Sequence, residues 1–172
     1  DVVTSTLDLS GAEVELSSEY GKEYLLQELL EPIRSRYSYV LIDSPPSLGL
    51  LTINALTAAQ EIYIPLQAHY LALQGMSKLQ EIVEKLRKKL NKGLRIGGVF
   101  VTQYDSRKVL NRNVAETIRE HFPAEAFKTA IRDNVALAEA PTQGLDIFRY
   151  APKSTGAEDY LALAKEIVKR TK

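Results

Sequence analysis

Asp43 is the acid in this sequence best placed for chemistry. It ends an apolar run, residues 39–42 (YVLI), and is followed at once by Ser44, Pro45, Pro46 and Ser47. A run with both faces apolar predicts a buried strand of a parallel sheet. Asp43 then falls at the strand's C-terminal end, where open α/β sheets hold their ligands. The two prolines forbid further strand pairing and stiffen the exit loop. A carboxylate on a rigid tip suits a magnesium–phosphate site, because Mg²⁺ takes one or two carboxylates and leaves its other positions to phosphate and water. The plainer reading is an acidic turn or cap residue after a core strand.

The elements that must position Asp43 follow from periodicity. Leu25, Leu26, Leu29, Leu30 and Ile33 recur at helical spacing within 22–36, with Pro32 set to kink or end that helix. Residues 12–16 read as a short helical turn and 50–59 as a short helix. Residues 62–66 read as a second strand. A long amphipathic helix from Leu73 to Leu90 follows, closed by Asn91, Lys92 and a left-handed cap at Gly93. Residues 94–102 predict a third buried strand whose glycines, 97 and 98, allow close approach. A helix over 109–122, a fourth strand over 127–131, a helical turn over 136–140, a short strand near Ile147 and a last helix over 155–170 complete the chain. Strands alternating with helices predict one α/β domain over 1–172, a doubly wound, mostly parallel sheet with helices on both faces. Three loops then share the ligand edge, at 43–49, 103–108 and 132–137. Asp43 and Asp105 are the polar residues at strand exits able to bind a metal.

Bulk composition narrows the chemistry. There are 172 residues, 45% hydrophobic and 26% charged, as in an ordinary globular domain. With no cysteine, a thiolate metal site is excluded, and only two histidines argue against a His-rich one. His69 and His121 read as surface or interface residues. No apolar run approaches the ~18 residues of a membrane span. The net charge is zero but unevenly spread: residues 1–84 hold 12 acids and 4 bases, and residues 85–132 hold 12 bases and 4 acids. A solvated lysine face explains part of the basic third, and a polyanion-binding surface is the sharper reading.

VLIDSPPSLG at 40–49 followed by LTINALTAA at 51–59 resembles the ParA/Soj partition ATPases, of the deviant-Walker P-loop group that includes MinD. IPLQ at 64–67, YLALQG at 70–75, VTQYDSR at 101–107, AEAP at 138–141, APKS at 151–154 and GAE at 156–158 match the family's later segments in order. The resemblance implies that Asp43 is the catalytic Walker B acid, holding Mg²⁺ through water. It makes Ser44, Pro45, Pro46 and Gly49 part of a switch loop that responds to the γ-phosphate of ATP. It places Thr102 with the nucleotide contacts and Arg132, Asp133 and Asn134 in the loop that packs on adenine. Arg107, with Lys108, Arg112 and Lys153, falls among the DNA-contacting cations. The partners implied are non-specific DNA, a ParB-like protein and a second copy paired around ATP, in a cytoplasmic, nucleoid-associated setting without a membrane.

The sequence also departs from the family pattern. No G-x-x-x-x-G-K-[ST] phosphate loop occurs among the 172 residues. The chain starts at a stretch that resembles a point past that loop, as expected of a fragment or C-terminal segment inactive on its own. His69 stands where the family usually has Glu, Ser44 where it often has Cys, and Ala136 in place of a second arginine. The alternatives are a MinD-like membrane positioner and a nucleotide-independent DNA-binding or scaffold fragment. The first is disfavoured because the chain's end, short and basic, offers only Ile167 and Val168.

Overall fold

The computed structural model describes residues 1–45 and 47–171, apart from the side chains of Ser10 and residues 70–79. Pro46 therefore lies outside the described residues. In chain order the elements are α1 (Ala12–Glu15), α2 (Leu25–Arg34), α3 (Leu50–Ala58), β1 (Glu61–Gln67), α4 (Tyr70–Lys89), β2 (Arg95–Thr102), α5 (Val109–His121), α6 (Val135–Glu139), α7 (Ile147–Tyr150) and α8 (Thr155–Arg170). The chain divides into two compact units, Asp1–Ile62 with Glu81–Arg95 and Tyr63–Gln80 with Ile96–Lys172.

The strands β1 and β2 are neighbours in one sheet. Arg95 N–H donates to Gln60 O at one end and Ala68 N–H to Thr102 O at the other, both at 3.1 Å, so the two run parallel. Helix α4 is the crossover that parallel neighbours require. Residues 125–133 follow the opposite edge of β2, with parallel bridges at Val99–Ala126 and Tyr104–Arg132. Phe127 N–H donates to Val99 O and Ile131 N–H to Val101 O, each at 2.8 Å. The strand expected over 127–131 is thus two bridges around a gap. The N–H groups of Lys128 and Thr129 turn away to the Glu166 carboxylate, at 3.0 and 3.1 Å, which interrupts the ladder.

In the second unit the core is built on Phe127, Ile131 and Leu163, with Tyr63, Phe100, Leu137 and Ile167 packed around them. A Cβ at Gly98 would overlap the Phe127 ring, so the close approach expected at this glycine pair is that of an aromatic ring. Helix α5 turns Asn111, Val114, Ala115 and Ile118 inward at helical spacing. In the first unit, α3 buries Thr52, Asn54, Ala55 and Thr57. Asn54 Oδ1 accepts from Leu26 N–H (3.0 Å) while its amide donates to Lys22 O (2.7 Å), which ties the start of α2 to α3.

Three local expectations are corrected. Residues 39–42 belong to no strand, and Leu41 is 91% exposed. An apolar run becomes a buried strand only with ladder partners beside it, and the sheet of described residues consists of β1 and β2 alone. Ile147 opens α7 instead of a strand, because the Asp146 carboxylate accepts from the N–H groups of Phe148 and Arg149 as an N-cap. Gly93 is not left-handed. Asn91 closes the turn after α4, accepting from Gly93 N–H at 3.2 Å and donating to the carbonyls of Leu56, Thr57 and Ala59 at 2.7–3.0 Å. Pro32 sits inside α2, which stops two residues later.

Candidate functional site

The first unit carries Asp43. Asp43, Ser44 and Pro45 are exposed, and Asp43 forms no ion pair with a described residue. The loop behind Asp43 is nevertheless fixed. Thr52, buried in α3, donates from Oγ1 to Ser47 O (2.6 Å) and more weakly to Pro45 O (3.2 Å). Gly49 is the N-cap of α3 and brings no side chain, so Glu13 supplies the missing acceptor. Its Oε1 takes the Leu51 N–H at 3.2 Å, and a Cβ on Gly49 would collide with that carboxylate. An anion at a helix N-terminus satisfies orphan N–H groups and the dipole together. Sequence reasoning missed Glu13, which lies 38 residues from its partner and carries no local signal.

Among the described residues no three His, Asp or Glu side chains are grouped to hold a metal. A single carboxylate beside hydroxyl groups fits a magnesium ion that arrives with nucleotide phosphates, because Mg²⁺ keeps several waters and needs few protein ligands.

The second unit carries the other predicted residues: Arg107, Lys108, Arg132, Asp133 and Asn134 on two adjoining loops, Thr102 at the end of β2, Arg112 in α5 and Lys153 just before α8. Tyr104 N–H donates to Ile131 O (3.0 Å) and Asp133 N–H to Tyr104 O (3.2 Å), joining the loop after β2 to the segment entering α6. Thr102 is half-buried and accepts from Ala68 N–H through its carbonyl. Asp105, expected as a possible metal ligand, is committed elsewhere. Its carboxylate accepts from Arg107 Nε, Nη2 and backbone N–H, each at 3.0 Å. The Arg107 side chain, then its backbone N–H, lower the Asp105 carboxyl to about 2, and Asp105 in turn raises the Arg107 guanidinium. Arg107 itself is 88% exposed at its side chain. Lys108 and Arg112 are exposed beside it, and Arg112 Nη1 donates to Ser106 O at 2.7 Å.

Arg132 is held by α8. Its Nε and Nη2 reach both Asp159 oxygens at 2.7–3.1 Å, Nη2 also reaches Glu158, and its N–H donates to Asp159 at 2.9 Å. Asp159 is 8% exposed, so this fork is a partly buried tie between loop and helix. Hydrogen bonds to Asp159 are the main reason the Arg132 guanidinium is pushed above its ordinary range. Asn134 caps α6 by accepting from Ala136 N–H (2.8 Å) and donates to Thr155 Oγ1 (2.6 Å). Asp133 and Lys153 are exposed. Lys153 precedes Ser154, whose Oγ caps α8.

Known proteins place this architecture. The sequence model of a family described as an AAA domain matches residues 1–96. The chain is 47% identical over 167 residues to sporulation initiation inhibitor protein Soj of Bacillus subtilis, covering 97% of this chain and 66% of that protein. It is 44% identical to chromosome partitioning protein ParA of Myxococcus xanthus (98% of this chain, 60% of that protein) and to chromosome-partitioning ATPase Soj of Treponema pallidum (98% and 66%). The chain thus spans 60–66% of the length of these curated relatives. Among solved structures it resembles cobyrinic acid a,c-diamide synthase of Mycobacterium smegmatis with bound ADP and magnesium, at TM-score 0.79 and 30% identity, over 96% of this chain and 60% of that one. Apo McdA of Cyanothece has the same fold at TM-score 0.80, with 22% identity over 98% of this chain and 66% of that one. Near-complete coverage at such identity, on an α/β frame shared with nucleotide-binding proteins, decides the relationship: the chain belongs to the ParA/Soj family of partition ATPases.

Proposed function

We propose that the complete protein containing this chain is an ATP-driven partition switch. The 47% identity to Soj across 97% of the chain carries this reading, because it spans both the Asp43 loop and the basic segment. Magnesium bound with ATP supplies charge neutralisation at the phosphates. Asp43 would hold that ion, and the loop from Ser44 to Gly49, tied down by Thr52, would answer to the γ-phosphate. Thr102 and the segment of Arg132, Asp133 and Asn134 frame the base. With Arg132 engaged by Asp159, the groups left on that loop are Asp133 and the peptide groups. No phosphate-loop motif occurs among the 172 residues, and on this reading the chain by itself does not hydrolyse ATP.

The ATP-bound protein pairs with a second copy and binds DNA without sequence preference through Arg107, Lys108, Arg112 and Lys153. A ParB-like partner stimulates turnover. The 12 bases against 4 acids in residues 85–132 support the DNA part independently of the resemblance. Membrane positioning has less support, because the last helix commits Leu163 and Ile167 to the core and so does not offer them as a free apolar face. The test is an Asp43→Ala change in the complete protein. Hydrolysis should be abolished with the circular dichroism spectrum unchanged. Wild-type turnover in that variant would remove Asp43 from the metal site.

A further inference from the structure

The loop that carries Arg107 is anchored to the interior by a chain of hydrogen bonds. Asn111 of α5 is 5% exposed. Its amide donates to Ala68 O just past β1 (2.8 Å), and its Oδ1 accepts from the Asp105 N–H (2.8 Å). Asp105 then grips Arg107 three times, through the backbone N–H, Nε and Nη2. Lys108 N–H returns to Asp105 O (3.0 Å), and Gln103 enters the turn at φ 51, a left-handed conformation that a non-glycine residue adopts only under local constraint. A guanidinium on a flexible stem, 88% exposed, would otherwise sample many rotamers.

We propose that Asp105, backed by Asn111, is a positioning residue that presets the Arg107 guanidinium for a phosphate. Asp105 occupies the Nε edge and one Nη2 hydrogen, leaving Nη1 and the remaining Nη2 hydrogen as donors on a solvent-exposed side chain. An arginine ordered in advance loses less entropy when it meets its partner. The inference rests on the DNA-binding reading above, and it makes a prediction opposite in sign to plain electrostatics. Asp105 is an acid in a basic surface, so if charge alone mattered, neutralising it would strengthen DNA binding.

The experiment uses the complete protein with ATP and a short duplex of arbitrary sequence, titrated across a salt series. Asp105→Asn should bind about two- to tenfold more weakly, although the protein has gained a positive charge. The slope of log affinity against log salt should fall by roughly 0.9, the loss of about one phosphate contact. Asp105→Glu keeps the charge but lengthens the arm, and should also weaken binding. Tighter or unchanged binding by Asp105→Asn, or wild-type binding by Asp105→Glu, overturns the positioning role. Arg107→Ala separates the two levels of argument. If the wild type binds no DNA, or Arg107→Ala binds as the wild type does, the DNA-binding reading fails at Arg107 and takes the inference with it. If Arg107→Ala loses binding while Asp105→Asn gains it, that reading stands and the positioning inference alone fails.

Discussion

In the first unit Asp43 stands exposed on a loop that is tied down only through its neighbours, whereas in the second unit Asp159 is 8% exposed and holds Arg132 by both oxygens. Both acids lie beside predicted nucleotide-contacting residues. One leaves its carboxylate open to solvent, and the other is absorbed into the fold. Both units leave large apolar side chains exposed, among them Leu7, Val14, Leu29 and Leu41 in the first and Val109 and Val135 in the second, and the second closes an aromatic core around Phe127. The contrast separates a carboxylate left open to solvent from groups that hold a frame.

The largest effect that tests this contrast comes from Phe127. Its ring meets Tyr63 and Phe100 at centroid distances of 6.0 and 6.2 Å, and the Arg170 guanidinium lies 4.1 Å over its face. Phe127→Ala should cost about 3–5 kcal/mol in urea unfolding, through lost burial and the cavity left behind. A loss under ~1 kcal/mol would mean that the second unit is not built on this ring.

Asp159→Ala comes next. It strands the Arg132 guanidinium with only Glu158, and removes the acceptor of the Arg132 N–H. The Arg132 side chain is 46% exposed, so solvent makes good part of the loss. The expected cost is about 2 kcal/mol by the same measurement. Stability within ~0.5 kcal/mol of wild type would reassign Arg132 from frame to free contact.

The sequence showed most of this frame and little of its bonding. Helices α3, α4, α5 and α8 and strands β1 and β2 were legible because apolar period and breaker residues are local signals. The 39–42 run misled because strand formation depends on neighbours that periodicity does not reveal. Likewise, Glu13 on Leu51, Asn111 on Ala68 and Asp159 on Arg132 join residues 27 to 43 positions apart. Nothing in their local sequence marks them. Asp105 was visible as an acid at a strand exit, but its grip by Arg107 two residues on argues against the metal role that position alone implied.

A smaller effect separates Asp105 from both other acids. Arg107 lowers its carboxyl to about 2, below the ordinary aspartate value. A carboxyl depressed on folding stabilises above its unfolded pKa, near 3.9, and that contribution fades as pH falls toward the folded value. The margin in urea midpoint between wild type and Asp105→Asn should therefore be constant from pH 7 to about 5 and shrink below about 4. A margin unchanged at pH 3 would show that the carboxylate charge contributes nothing to the loop.

The smallest expected stability effect is at Asp43. An exposed side chain with no ion pair among the described residues falls within about ±0.5 kcal/mol when truncated. The loop it stands on is held by the Thr52 hydroxyl and the cap of α3 by Glu13, and neither bond involves Asp43. Asp43→Ala should leave the unfolding midpoint unchanged while hydrolysis by the complete protein disappears. Those two readings together distinguish a carboxylate held ready for a metal from one that holds a turn. A destabilisation above ~1 kcal/mol would assign Asp43 to the frame, as Asp159 is, and the contrast between the two units would no longer stand.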